Sequence, residues 1–265
     1  MRAALDNAPV IDLKAGPKPG FATHVKVELR KMVDTRAGFW LILSIGILCA
    51  LVMIGILAFV DPKDMNFELF LAGMNTPMSI LLPVLGILSV TSEWGQRTGL
   101  VTFTLQPRRA TVVASKLTAG VVVAVGAVAV AMVLATIGTG IGVGLRGADD
   151  AWNLTATSAI SWVAAQIIAL VQGFAFGMLI MNTAAAIVSY FVYLFIVPTL
   201  FALLNEFVSW GDNISKWLDF GMAQGQLFGN NATGEDWAHF ATSGFIWLLV
   251  PLMLGIWRLL RSEVK

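Results

Sequence analysis

Few residues of this chain could carry out catalytic chemistry, and they are widely separated. The only two histidines are His24 and His239. The orientation that the charged residues predict puts them on opposite sides of a membrane, so they cannot share a metal ion or a catalytic site. The single cysteine, Cys49, has no partner for a disulfide or a cysteine metal site. These residue types therefore indicate no metal centre.

Nucleotide-binding and hydrolase motifs are also absent from the sequence. No G-x-x-x-x-G-K-[ST] segment exists to hold ATP, and there is no H-E-x-x-H pair, no G-x-S-x-G elbow and no carboxylate cluster within the apolar segments. The glycine-rich run 138–144 lacks the last glycine of a dinucleotide fingerprint and lies in an apolar segment, which favours close helix packing. We expect a chain that is not an enzyme by itself and binds no cofactor.

The apolar segments contain few polar residues that could contact a solute. A charge at the bilayer centre costs about 2.5–3.5 kcal/mol, so ion carriers show acids or bases in mid-span, and this chain has none there. The uncharged candidates are Gln166, Gln172 and Asn182, which could either bridge two helices or touch a substrate. This pattern disfavours an ion-coupled carrier.

Charged residues concentrate in the segment 91–116, which glycines and a proline break into short pieces. Short charged helices beneath a membrane suit docking onto a soluble partner. The same arginines could instead serve only to fix the orientation of the chain. The charged members are Glu93, Arg97, Arg108, Arg109 and Lys116.

A membrane-spanning helix bundle must position these residues, because 57% of the 265 residues are hydrophobic and only 12% are charged. A helix needs about 20 apolar residues to cross the hydrocarbon layer, and six stretches meet that requirement. We therefore predict an all-α polytopic membrane protein with six transmembrane helices. The predicted spans are residues 38–60, 71–90, 117–145, 156–181, 184–204 and 240–260.

Two of these spans have unusual features. Pro77 and Pro83 predict that the second is kinked or locally unwound. The third is longer than a perpendicular crossing requires, so we expect it to tilt or to project beyond the membrane.

The basic residues predict the orientation. Lysine and arginine prefer the cytoplasmic side of short loops, and placing both chain ends in the cytoplasm puts all but three of the 17 basic residues there. The exceptions are Lys63, Arg146 and Lys216. The net charge of +1 gives no basic field for nucleic acid, so none is expected as a partner.

Three segments lie outside the spans. Residues 1–20, rich in proline and glycine, are predicted to be a flexible cytoplasmic tail. Residues 206–239 predict a short helical element on the outer side. Residues 21–37 predict an amphipathic helix, because Phe21, Val25, Leu29 and Val33 recur every four residues. It could lie on the inner leaflet or serve only as an anchor, and its charged residues are Lys26, Glu28, Arg30 and Lys31.

The segment after the second span resembles the permease subunits of type-2 ABC transporters. In that family an acidic residue after the second helix precedes a Gly-Thr or Thr-Gly step, a Pro-Arg pair and a lysine at the start of the third helix. The six-span arrangement, with a connecting helix first and short helices between the fifth and sixth spans, is similar over nearly the whole chain. The matching residues are Glu93, Thr98, Gly99, Pro107, Arg108, Arg109 and Lys116.

This resemblance implies an ATP-driven exporter of the bacterial cytoplasmic membrane. Two permease subunits, identical or paralogous, would form the pathway, and two separate ATPase subunits would bind ATP and magnesium beneath them. Residues 91–116, including Arg97, would form the coupling loop, 21–37 the connecting helix and 38–265 the transmembrane domain. The substrate would be a hydrophobic or amphipathic drug, lipid, peptide or lipid-linked glycan, moved outward by alternating access.

Two other functions stay open at the level of sequence. The chain could be a membrane anchor or assembly factor that recruits a soluble partner without transporting anything. An ion-coupled carrier is the less favoured of the two, because the mid-spans carry no charge.

Overall fold

The computed structural model describes residues 19–95, 108–149, 151–227 and 232–261, and in these ranges it contains helices and no strand. Six helices are long and apolar enough to cross a membrane, which confirms the predicted count of spans. We number the helices in chain order: α1 Phe21–Asp34, α2 Arg36–Phe59, α3 Phe67–Gly95, α4 Arg109–Arg146, α5 Ala156–Ile180, α6 Thr183–Phe207, α7 Gly211–Leu218, α8 Phe220–Leu227 and α9 Gly234–Arg261.

Several helix boundaries differ from the predicted ones, as α1 and α4 show. The first helix ends at Asp34, and α2 begins at Arg36, because Thr35 has an extended backbone and its side chain accepts a hydrogen bond from Gly38 N–H at 3.2 Å. The third span begins at Arg109 and has 38 residues. At about 1.5 Å per residue this helix is about 57 Å long, far more than the hydrocarbon layer requires.

Helices α3 and α5 form the centre of the bundle. Half of the most apolar window of each is buried, compared with 11% for α2 and for α6. Glycines let the two backbones meet, since a methyl group at Gly173 would collide with the Pro83 carbonyl and one at Gly86 would collide with the Leu170 carbonyl. Backbone contact of this kind fixes how the two helices cross.

Of the two outcomes predicted for α3, kinking or local unwinding, the structure shows no unwinding, because the helix continues from Phe67 to Gly95 through both prolines. Pro83 has no N–H and therefore leaves the carbonyl of Ser79 without its usual helical donor. The hydroxyl of Tyr190 in α6 donates to that carbonyl at 3.3 Å. A side chain from a neighbouring helix thus replaces the bond that the proline removes.

Helices α6 and α9 each contain one wide π turn, Val192–Ile196 and Phe245–Leu249 respectively. Each turn lies directly before a valine–proline pair, and the prolines are Pro198 and Pro251. A proline ring clashes with the preceding helical turn and removes a donor, and a π turn accommodates that disturbance without ending the helix.

The glycine-rich run in α4 packs through two of its members, as the sequence indicated. A methyl group at Gly138 would press on Phe70 and Met53, and Gly142 lies against Met65. Gly140, on the other side of the helix, has nothing within 4 Å. The run therefore lets α4 approach α2 and α3 closely along one face.

Three arginines cap the C-terminal ends of neighbouring helices, where carbonyl groups lack helical partners. Each lies near an end of its own helix and donates across to another. The pairs are Arg109 to the carbonyls of Leu259 and Leu260 in α9, Arg146 to those of Leu57 and Val60 at the end of α2, and Arg258 to that of Leu179 in α5.

Replacing Gly173 by alanine should destabilise the protein by about 1–3 kcal/mol. The added methyl group would collide with the α3 backbone, which cannot move aside as a side chain can. Gly140→Ala is the matched control, since the same methyl group there enters open space and should be neutral or slightly stabilising. Unfolding of the two purified variants in detergent micelles tests this. Equal stabilities would contradict the close α3–α5 crossing.

Candidate functional site

Four charged side chains meet where α1 packs against the bundle, and we call Glu28, Lys31, Glu93 and Lys116 the ion-pair cluster. The ammonium group of Lys116 lies 2.7 Å from Glu28 Oε2 and 2.9 Å from Glu93 Oε1. Lys31 lies 2.8 Å from Glu28 Oε1 and 2.8 Å from Glu93 Oε1. Each lysine therefore bridges both carboxylates, and the cluster carries two charges of each sign.

Most of the cluster is removed from solvent. The side chains of Lys116, Glu28 and Glu93 are only 7%, 9% and 12% exposed, whereas Lys31 is 42% exposed. Burial alone would lower the pKa of Lys31, but its hydrogen bonds with Glu28 and Glu93 outweigh that effect and raise the pKa above the ordinary value for lysine. Lys31 therefore stays charged at neutral pH.

The cluster joins three elements that are distant in sequence. Glu28 and Lys31 lie on α1, Glu93 lies in the last turn of α3, and Lys116 lies two turns into α4. The cluster therefore ties α1 to the last turn of α3 and to the first turns of α4.

Other residues that the sequence singled out lie elsewhere. Arg109 binds the end of α9, as described above, while Arg108 is exposed and has no partner among the described residues. Lys26 and Arg30 are exposed on α1 and do not join the cluster. The predicted coupling residues Arg97, Thr98, Gly99 and Pro107 lie outside the described residues.

The three polar residues of the spans all make contacts within the bundle. The amide of Gln166 donates to Asn75 Oδ1 in α3 at 2.7 Å, which links the two central helices. Asn182 caps α6 by accepting from Ala185 N–H at 3.0 Å. Gln172 donates to the carbonyl of Trp247 at 3.4 Å. Each of the three thus makes a hydrogen bond within the bundle.

The contact of Gln172 lies where the two π turns meet. Pro251 leaves the carbonyl of Trp247 without its usual donor, and the amide of Gln172 supplies one. The rings of Tyr193 and Trp247, one from each π turn, lie 4.9 Å apart between centroids. The fifth and sixth spans are therefore joined through their irregular turns.

Sequence reasoning missed the pairing of Glu28 with Lys116, although it named both residues. One signal was available: Glu28 lies three residues after Val25 and four before Met32, so it falls on the apolar face of α1. The structure buries Met32 and packs Val25 against the core. An acid on a buried face requires a cation opposite it.

The residues considered for metal or catalytic chemistry do not converge. Across the described ranges, no group of three or more histidine, cysteine or acidic residues could hold a metal ion. His239 is buried, with the edge-on ring of Trp217 4.4 Å away between centroids and Glu235 3.8 Å from its Nε2. Cys49 is buried within α2.

No family model and no curated protein matches the chain. The fold of the described residues defines a class by itself: they are helical, without strands, and include six hydrophobic helices, as in a multi-pass membrane protein. Its most concentrated polar feature is the ion-pair cluster at the end of the bundle where α1 lies.

Lys116→Met should lower the free energy of unfolding by about 3–5 kcal/mol, because Glu28 and Glu93 then share only the partly exposed Lys31. Adding Glu93→Gln to that variant leaves one acid, Glu28, opposite one base, Lys31. The double variant should therefore be more stable than Lys116→Met alone. Unfolding of the purified proteins in detergent micelles measures both effects.

The matched control is Lys26→Met, which removes an exposed cation from α1 and should change the stability little. If Lys116→Met were as harmless as Lys26→Met, or if Glu93→Gln destabilised it further, the cluster would not be a coupled set.

Proposed function

We propose that this chain is the membrane-spanning permease subunit of an ATP-driven exporter. Two such subunits, identical or paralogous, would form the pathway in a bacterial cytoplasmic membrane, with both chain ends in the cytoplasm. Two copies of a separate ATPase would bind ATP and magnesium beneath them. The six spans and the resemblance of residues 92–116 to type-2 ABC permeases support this proposal.

The observation that carries it is the double contact of Lys116 with Glu28 and Glu93. These contacts tie α1 to the two helices that flank the segment 96–107. In the proposal this segment docks on the ATPase, and its displacement on ATP binding moves α1, α3 and α4 together. Buried ion pairs with good geometry favour one arrangement of helices over slightly shifted ones, which suits the transmission of a small movement.

Helix α1 has the features that a connecting helix at the inner leaflet needs. Its exposed cations Lys26 and Arg30 are available to anionic lipid headgroups, while Glu28 and Met32 face the bundle. In this arrangement α1 would be held between the membrane surface and the ends of α3 and α4.

The proposed substrate is hydrophobic or amphipathic, because the spans carry no unpaired charge at mid-depth that would bind an ion. Gln166 and Gln172 remain candidates for the pathway, but each already bridges two helices. A substrate that bound them would have to replace those contacts, which gives a route by which occupancy could alter helix packing.

Purification of the full chain from its native membrane in mild detergent tests the class directly. The expected result is a co-purifying protein with a G-x-x-x-x-G-K-[ST] motif and an ATPase activity that depends on the permease. A stable complex with a soluble protein of another kind would favour the membrane anchor or assembly factor instead.

Arg108→Ala tests the docking surface separately from the fold. Arg108 is exposed and has no partner among the described residues, so its loss should weaken ATPase binding several-fold and leave the stability unchanged. Arg30→Ala, which removes an exposed arginine from α1, is the control and should retain the partner. Full ATPase binding and transport by Arg108→Ala would contradict a docking role for this residue.

A further inference from the structure

A cavity of about 290 Å³ lies between the first halves of α3 and α5. It is at the opposite end of α3 from Glu93 and is therefore separate from the ion-pair cluster. Its volume is close to the lower end of the range for small-molecule sites. Its polar lining comes from Glu68, Asn75, Ser158 and Trp162, and its apolar lining includes Leu71 and Leu154.

The charge of this cavity favours a cation. Among the described residues of its lining, Glu68 is the only ionisable one, and none is a lysine, arginine or histidine. The carboxylate of Glu68 has no ion-pair partner within the described ranges, while its backbone N–H is held by Asn153 Oδ1 at 3.2 Å. The Glu68 side chain thus contributes a carboxylate to the lining without a counter-charge among the described residues.

Trp162 supplies the second part of a cation site. Its side chain is 7% exposed, and its indole N–H has no acceptor among the described residues. An ammonium ion carries no acceptor for that N–H, so Trp162 contributes to a cation site through its aromatic ring, which forms part of the cavity lining.

We propose that this cavity binds a small organic ammonium ion. Its charged nitrogen lies between the Glu68 carboxylate and the Trp162 ring, because an indole face attracts cations and an adjacent carboxylate adds charge complementarity. Its apolar part contacts Leu71 and Leu154. The site does not depend on the proposed export activity, since it is formed by one chain and requires neither ATP nor a partner.

Equilibrium dialysis of radiolabelled benzyltrimethylammonium against the full chain in nanodiscs of zwitterionic lipid tests this site. We expect saturable binding of one ion per chain. Glu68→Gln should raise the Kd by at least about tenfold, since it removes the one charge among the described lining residues. The neutral isostere of the probe, neopentylbenzene, should compete poorly.

Asp64→Asn is the matched control for charge. Asp64 is exposed one turn before α3 and does not line the cavity, so this variant should bind as the unchanged protein does. Trp162→Phe keeps an aromatic face and should bind within about threefold of the unchanged protein, whereas Trp162→Leu should bind much more weakly.

Three results would overturn the proposal. Binding no greater than that of empty nanodiscs would mean that the ion only partitions into lipid. Equal effects of Asp64→Asn and Glu68→Gln would mean that surface charge alone attracts it. Full competition by neopentylbenzene would make the cavity an apolar site without cation preference. If Glu68→Gln did not fold, the two Trp162 variants would decide the question.

Discussion

The bundle depends on keeping four charges together where α1 meets α3 and α4. A carboxylate or an ammonium group removed from water is costly by itself, and the cost is recovered only when opposite charges lie within hydrogen-bond distance. Lys116 contacts two carboxylates from two different helices, so neither helix can shift without leaving a buried charge exposed to an apolar environment. The position of α1, and with it the entry of the chain into α2, follows from that constraint.

A second constraint acts at the centre, where α3 and α5 cross with their backbones in contact. Gly86 and Gly173 make this approach possible, and the link between Gln166 and Asn75 lies on the same pair of helices. Backbone contact leaves little freedom for α3 and α5 to slide past each other, and the first halves of the same two helices line the cavity beside Trp162. The ion-pair cluster and the cavity therefore lie at opposite ends of one stiff helix, α3, which is the direct physical connection between them.

The number and approximate limits of the spans could be predicted because they depend on composition and length alone, which are local properties of the sequence. The contacts between side chains that are distant in the sequence could not be predicted in the same way. Glu93 and Lys116 were recognised as charged residues near a loop, yet their roles depend on Glu28, which is distant in the chain and meets them only after α1 folds back on the bundle. The hydrogen bond of Tyr190 to Ser79 depends equally on how two helices are rotated.

The effect of prolines within the helices was equally hard to predict from the sequence. Pro77 and Pro83 predicted a kink or local unwinding in α3, and the helix is not unwound there; the π turns lie instead in α6 and α9, before Pro198 and Pro251. Whether a proline unwinds, bends or widens a helix depends on which neighbour can satisfy the freed carbonyl. That neighbour is set by tertiary packing and leaves no mark on the local sequence.

The arginine caps bear on how the chain enters the membrane. The three basic residues that the predicted orientation leaves outside all have local partners: Arg146 donates to carbonyls at the end of α2, Lys63 lies 3.5 Å from Asp61, and Lys216 lies 2.5 Å from Asp212. Because Arg146 finds its acceptors only on α2, that cap forms after both α2 and α4 are inserted. In the predicted orientation, the last turn of α4 would then secure the outer end of α2, two spans earlier in the chain.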